Sequence, residues 1–322
     1  MGPIRELTPM AQTEHFVTLF DHAFLPMGLA LHGSLRRHAQ PFKLWVLCMD
    51  PQSAQALHAM NLPNLGVIRL ADIETPALLA AKAGRSWGEY CWTLSSFTFD
   101  AVFRREPSAR RVTYLDADVW FLDDPRQLLS ELDESGKQVL VTEHAYAPEY
   151  DQSAQAGRFC VQFVTFDASE GARQVRSWWQ DRVLEECSSK PGKLGDQGYL
   201  NEWPALFGEH LHIVRQTHRT LAPWNARHMA KLYPDAAPVF YHFHGLRIIS
   251  SREIRLYAGY DVGRSAVAWY EKYVQELAQA LEPMKAAGLA VKPLPIPRKP
   301  LNRLGSLYRV WRGQERFVAW GQ

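Results

Sequence analysis

Two aspartates raise the first chemical question. The stretch RRVTYLDADVWFLDDP, residues 110–125, runs an apolar strand, Val112 to Leu115, straight into Asp116 and Asp118. Residues i and i+2 of an extended segment share a face, so both carboxylates converge just past the strand end. At roughly 4 Å and an effective dielectric near 20 they repel by about 4 kcal/mol, which demands a cation, a shared proton or divergence in the loop. A divalent, oxygen-seeking metal such as Mn²⁺ or Mg²⁺ meets that demand and would in turn hold a diphosphate. The plain alternative is a solvated turn. For Asp123 and Asp124, just before Pro125, that alternative is the expected one, as caps of a helix beginning near the proline.

The elements that must position this pair follow from periodicity. Residues 15–21, 42–50, 65–70 and 111–116 read as strands, with helices over about 24–38, after Pro51 and over about 89–105. Such alternation predicts a parallel sheet, whose ligands collect outside the carboxyl ends of the strands, where Asp21 and Asp116 fall. After Pro125 the pattern loosens into a mixture: KQVLVTEH and RFCVQFVTFD as strands, ASEGARQVRSWWQDRVLEEC as a helix capped by Ser169, APVFYHFHG as a strand, and about 265–287 as a closing helix. Trp178 and Trp179, within that capped helix, read as packing residues. With no internal repeat or long linker, the expectation is one globular domain over residues 1–290 and a basic tail over 291–322.

Composition narrows the function classes. Among 322 residues, 36 Lys and Arg stand against 34 Asp and Glu, so no global field draws the chain to nucleic acid. The cysteines, Cys48, Cys91, Cys160 and Cys187, form no CxxC pair and sit mostly in apolar runs. They read as buried thiols in a reducing compartment, and no run has the length of a membrane span. The expectation is a soluble cytoplasmic protein.

VTYLDADVWFLDDP resembles the strand and metal motif of nucleotide-diphospho-sugar transferases of the GT-A fold, closest to glycosyltransferase family eight, the glycogenin and lipopolysaccharide galactosyltransferase type. HFVTLFDHAFLPMGLALHGSL is similar to that family's first strand and helix, LGDQGYLN to its DQDxLN, YHFHG to its late HxxG, and PWN (223–225) to its Trp-Asn pair. The resemblance spans roughly residues 15–250. It implies an α/β fold of GT-A type, a Rossmann-like mixed sheet flanked by helices with a C-terminal helical tail, its nucleotide-binding half over about 15–125 and its acceptor half over about 126–260.

Carried over residue by residue, the resemblance makes Asp116, Asp118 and His242 the metal ligands, with His244 the competing candidate two residues on. A histidine in the set favours Mn²⁺ over Mg²⁺. Asp196 and Gln197 would lie by the transferred sugar, or alternatively start a helix, and Asp21 would touch the nucleotide, or alternatively cap the next helix. The family's third acid in DQD is Gly198 here. Its lysine after HxxG is missing, and Arg247 is the candidate for the phosphate charge. Its arginine before the metal strand has no clear equivalent, with Arg85 nearby. Trp203 and Trp224 are candidates for stacking on an acceptor sugar.

The implied activity is metal-dependent transfer of a hexosyl group from a nucleotide-diphospho-sugar donor to a hydroxyl on a glycan or glycolipid acceptor, in bacterial surface polysaccharide or glycolipid synthesis. The family implies retention at the anomeric carbon; inversion would need a base, for which Glu143 is the candidate. Two other readings stand beside it: a sugar- or nucleotide-binding protein without catalysis, and an aspartyl-phosphate phosphatase using Asp116 as nucleophile. The tail holds seven basic residues and one acid. Read as a helix from Leu301, it aligns Leu304, Leu307, Tyr308, Trp311 and Val318 beside Arg309, Arg312 and Arg316, a pattern suited to the anionic inner face of a membrane, although Glu315 falls on the apolar stripe.

Overall fold

The computed structural model describes residues 12–190, 192–296 and 300–320. Among the described residues, thirteen strands form three sheets: β1 (Glu14–Phe20), β2 (Phe42–Cys48), β3 (Leu65–Arg69), β4 (Arg111–Leu115), β5 (Val119–Phe121), β6 (Val139–Glu143), β7 (Phe159–Asp167), β8 (Leu211–Ile213), β9 (Thr220–Leu221), β10 (Phe240–His242), β11 (Arg247–Ser250), β12 (Glu253–Ala258) and β13 (Glu315–Ala319). The main sheet runs β3-β2-β1-β4-β7-β6-β8. Its first four strands are parallel, β7 is antiparallel to both β4 and β6, and β8 is parallel to β6.

Every residue of β1 is buried, and the reason is visible in its alternation. Val17 and Leu19 face one core with the helices Trp87–Ser95, Thr98–Arg105 and Glu170–Glu185, while Phe16 and Phe20 face a second core with Leu25–His38, Pro51–Met60 and Arg126–Ser135. A strand covered on both faces reads as a continuous apolar run, as this one does. The sheet order reverses between β1 and β4, so a crevice opens beyond their carboxyl ends.

A smaller sheet, β5-β10-β9, hangs below the end of β4. It is backed by an aromatic core in which Phe243 stacks on Tyr273 with ring centroids 3.8 Å apart.

Three helical expectations change. The helix expected over 89–105 breaks at Ser96–Phe97, where the hydroxyls of Ser95, Ser96 and Thr98 donate to carbonyls three residues back and compete with the helical pattern. A helix not anticipated, Pro76–Ala83, starts on a Thr75 cap followed by proline. The closing helix is two helices, Gly263–Gln279 and Leu281–Ala286.

The tail also differs from a single amphipathic helix. Its helix ends at Trp311, and Val318 lies on β13, which pairs antiparallel with β12 across the expected boundary at residue 290. Glu315 is buried between Arg309 and Arg255 rather than placed on an exposed stripe. No helix among the described residues is long and apolar enough to cross a membrane.

Candidate active site

The crevice beyond β1 and β4 is a cleft of about 660 Å³, with Asp21, Tyr114, Asp116, Asp118, Asp196 and His242 among its lining residues. Asp116 and Asp118 do not lie on one continuous strand. β4 ends at Leu115, and the pair occupies a tight turn closed by the Val119 amide donating to the Asp116 carbonyl. They nevertheless converge, and His242 is the point of convergence. Antiparallel pairing sets His242 opposite Val119, and the Phe243 amide donates to the Asp118 carbonyl. His242 Nε2 is thereby 3.1 Å from Asp118 Oδ1 and 3.7 Å from Asp116 Oδ2.

Burial and the neighbouring imidazole answer the repulsion between the carboxylates in different ways. Burial pushes the Asp116 carboxyl well above its ordinary value despite the neighbouring His242, which favours its protonated form. Asp118 is also penalised by burial, but the His242 charge and hydrogen bond outweigh that and bring it down to about 2. The Tyr114 hydroxyl donates to Asp116 Oδ1 at 3.2 Å, leaving Oδ2 toward the imidazole.

Two residues that sequence reasoning did not assign complete the cluster. His242 Nδ1 donates to Gln162 Oε1 at 2.6 Å, which fixes the ring orientation and aims Nε2 at the aspartates. Cys160, two residues before Gln162 on β7, brings its sulfur into a set with an Asp116 oxygen and a His242 nitrogen, the ligand atoms all within 4.8 Å of one another. Burial raises the Cys160 thiol, and the imidazoles of His144 and His242 more than offset this, bringing it to about 6. The visible signal was a cysteine and a glutamine at i and i+2 in a largely apolar strand. The placement comes from the β6–β7 pairing, which jumps from Val141 opposite Val164 to Thr142 opposite Cys160.

The other candidates divide. Asp196 lines the cleft; burial raises its carboxyl to about 7, while the Ser95 hydroxyl and the Gln197 amide donate to it at 2.6 and 2.9 Å. It therefore caps the turn Gln197–Glu202 and faces the cleft together. Gln197 also lines the cleft, its side-chain nitrogen donating to the Ala156 carbonyl at 2.7 Å. Asp21 caps the turn after β1 and accepts from Trp87 Nε1 at 3.2 Å. Arg247 and His244 sit at the cleft wall, His244 with its ring 5.4 Å from Trp224. Asp124 accepts from the Arg126 amide at the start of its helix.

Three candidates fall outside the cleft lining. Arg85 is turned inward, donating to Thr93 and, at 2.8 Å, to the Leu184 carbonyl. Glu143 is ion-paired with Arg158. Trp203 is buried against Trp179 and Phe166, so it has no face for a sugar. Trp224 does line the cleft, but it is largely buried, and its indole N–H donates to the His144 carbonyl at 2.7 Å, as the Asn225 amide does at 3.0 Å. The Trp-Asn pair thus fastens the segment after β6 to the cleft wall. Trp178 and Trp179 pack in the core, Trp179 fully buried.

No family model matches the chain. The Bacillus subtilis (strain 168) protein YfnF is 30% identical over 259 residues, covering 76% of this chain and 85% of YfnF, and YfnD of the same organism is 26% identical over 289 residues, covering 85% and 92%. Neither has an assigned function. Among solved structures, the galactosyltransferase LgtC in complex with donor and acceptor sugar analogs superimposes with a TM-score of 0.50 at 16% identity, over 93% of this chain and 99% of that one. The bifunctional glycosyltransferase WbbM also gives 0.50 at 16% identity, over 87% of this chain and 52% of that longer one. The fold is therefore the GT-A fold, a mixed sheet flanked by helices.

Proposed function

We propose that this chain, which belongs to one family with Bacillus subtilis YfnF and has the GT-A fold, is a glycosyltransferase moving a hexosyl group from a nucleotide-diphospho-sugar to a hydroxyl acceptor. One observation carries the reading: Asp116, Asp118 and His242 converge at the foot of a cleft large enough for a nucleotide sugar, beyond the carboxyl ends of β1 and β4. LgtC, of the same fold, holds donor and acceptor sugar analogs.

The donor set suits a divalent cation, and two carboxylates with one imidazole favour Mn²⁺ over Mg²⁺. Such an ion, when bound, neutralises charge on the departing diphosphate. The chain's own residues do the rest. Asp21 meets the base or ribose at the end of β1, and Arg247 offers a positive charge from the cleft wall. Asp196, held by Ser95, and Gln197 orient the sugar hydroxyls. The carboxylates among the cleft-lining residues are Asp21, Asp116, Asp118 and Asp196, each already engaged, and Glu143 is paired elsewhere. That supports retention, in which the leaving phosphate itself receives the acceptor proton on the same face.

The helix Pro300–Trp311 exposes Leu307, Tyr308, Val310 and Trp311, with Arg312 following. This supports docking on an anionic membrane at the cytoplasmic face, where a lipid-linked glycan, as in surface polysaccharide or glycolipid synthesis, would serve as acceptor.

Thermal unfolding with Mn²⁺ and a panel of nucleotide sugars tests the donor reading. A ligand at a hundred times its Kd adds about 2.7 kcal/mol of stability. The expected result is stabilisation by one nucleotide family, dependent on Mn²⁺, together with release of nucleoside diphosphate. Binding without release, even with glycan acceptors present, would leave a sugar-binding protein; no binding would remove the reading. Proton NMR of the product's anomeric centre decides between retention and inversion.

A further inference from the structure

We infer that Cys160 is itself a metal ligand, so that the centre is a mixed carboxylate, imidazole and thiolate site whose affinity favours thiophilic divalent ions such as Co²⁺ and Zn²⁺ over Mn²⁺. The inference rests on the metal reading of the cleft and refines it. The sulfur of Cys160, an oxygen of Asp116 and a nitrogen of His242 lie within 4.8 Å of one another. In a tetrahedral set, bonds of about 2.3 and 2.1 Å to one ion place ligand atoms about 3.6 Å apart, so side-chain rotations that draw the three atoms together by about 1 Å bring them onto a single cation.

Cys160 is buried at the cleft wall on β7, and the strand irregularity opposite Thr142 sets it beside the imidazoles of His144 and His242. Gln162, on the same strand, already holds the ligating face of His242 toward the centre. His144 is also buried, and its Nδ1 has no hydrogen-bond partner among the described residues. Cobalt and zinc bind more tightly than manganese at oxygen and nitrogen sites already, and a thiolate widens that gap, because soft sulfur gains most with cobalt and zinc. Binding exchanges the thiol proton for the metal, M²⁺ + Cys–SH giving Cys–S–M⁺ and a proton released to buffer.

Cobalt titration of the full chain under reducing conditions provides the test, since a cobalt–thiolate bond adds a near-ultraviolet charge-transfer band to the visible ligand-field bands. The wild type is expected to show both. Cys160→Ser should keep the visible bands, lose the near-ultraviolet band and lower cobalt affinity by at least about tenfold, the loss typical of even an outer partner, with a smaller change for manganese. Cys91→Ser, which alters the other cysteine lining the cleft, should keep the band. X-ray absorption of the cobalt-loaded wild type should show one sulfur neighbour, a measurement independent of whether the variant folds. Visible bands without the near-ultraviolet band, and no sulfur neighbour, would overturn the Cys160 assignment while leaving the metal site intact. Failure of the wild type to bind either cobalt or manganese would overturn the metal reading and this inference with it.

Discussion

Asp116 and Asp118 differ by one intervening alanine and behave as opposites. Burial shifts Asp116 toward its neutral form, whereas the His242 charge and hydrogen bond hold Asp118 in its ionised form. Asp116→Asn then replaces a group already biased toward neutrality with one of similar shape, and stability without added metal should stay within about 0.5 kcal/mol of wild type. Asp118→Asn removes a charged partner from a buried imidazole and should cost about 1–3 kcal/mol. Urea unfolding without metal distinguishes the two, and both variants should lose transfer by about a hundredfold or more. The Gln162 contact gives a second test. Gln162→Ala frees the His242 ring and should weaken metal binding by about 10–100-fold, measured by calorimetry. His242→Ala should weaken it further, and by more than His244→Ala. The aspartates were legible because an apolar strand ran into them. Cys160 and Gln162 were not, since their role depends on a register jump between β6 and β7 that no local pattern announces.

At the scale of elements, the first four strands were legible from apolar runs ending in Asp or a loop, because burial on both faces leaves a continuous hydrophobic signature. The break at Ser96–Phe97 was not, because three hydroxyl-to-carbonyl contacts decide it, and the same Ser95 hydroxyl also serves Asp196. Another polar tie holds the far edge of the sheet. Glu131, buried on the helix Arg126–Ser135, accepts from the Arg215 and Gln216 amides and contacts His212 on β8. Burial opposes its ionisation, yet these donors outweigh it and hold the carboxyl below its ordinary value of 4.5. The depressed value means the stabilisation is full above about pH 4.5 and is lost as pH falls through the folded-state pKa. Glu131→Gln should therefore be destabilised by about 1–3 kcal/mol at pH 7, and its deficit relative to wild type should shrink in acid. Denaturant midpoints from pH 7 down to 3 check both parts.

For the whole molecule, the tail is where sequence and structure differ most. A helical reading from Leu301 through Val318 assumed one continuous periodicity, but the chain turns at Gly313, which has a positive φ of 67°, and returns as a strand. Deleting everything after residue 290 would remove β13 and Trp320, both packed on the body, and would confound docking with folding. The better test keeps the full chain and replaces Leu307, Tyr308 and Trp311 with Ser, all three being exposed. Anionic vesicles should retain the wild type at low salt and release it at high salt, and the triple variant should bind several-fold less while its melting temperature is unchanged. Equal binding by both proteins would remove the docking proposal.

The exposed helix is also fastened on both sides: the Leu294 amide donates to the Ile248 carbonyl before it, and after it the Gly259 amide donates to the Gln314 carbonyl as β13 joins β12. A catalytic body on a floppy leash would sample a hemisphere of orientations and lose entropy each time it met a substrate. A handle moulded into the body leaves almost no such freedom. Under the docking proposal, an enzyme resting on this handle would keep its mouth at one height and one tilt above the lipid, and the search for acceptors would be two-dimensional. The length of glycan already built on a lipid carrier, rather than its sugar identity alone, would then decide which chains can reach the mouth.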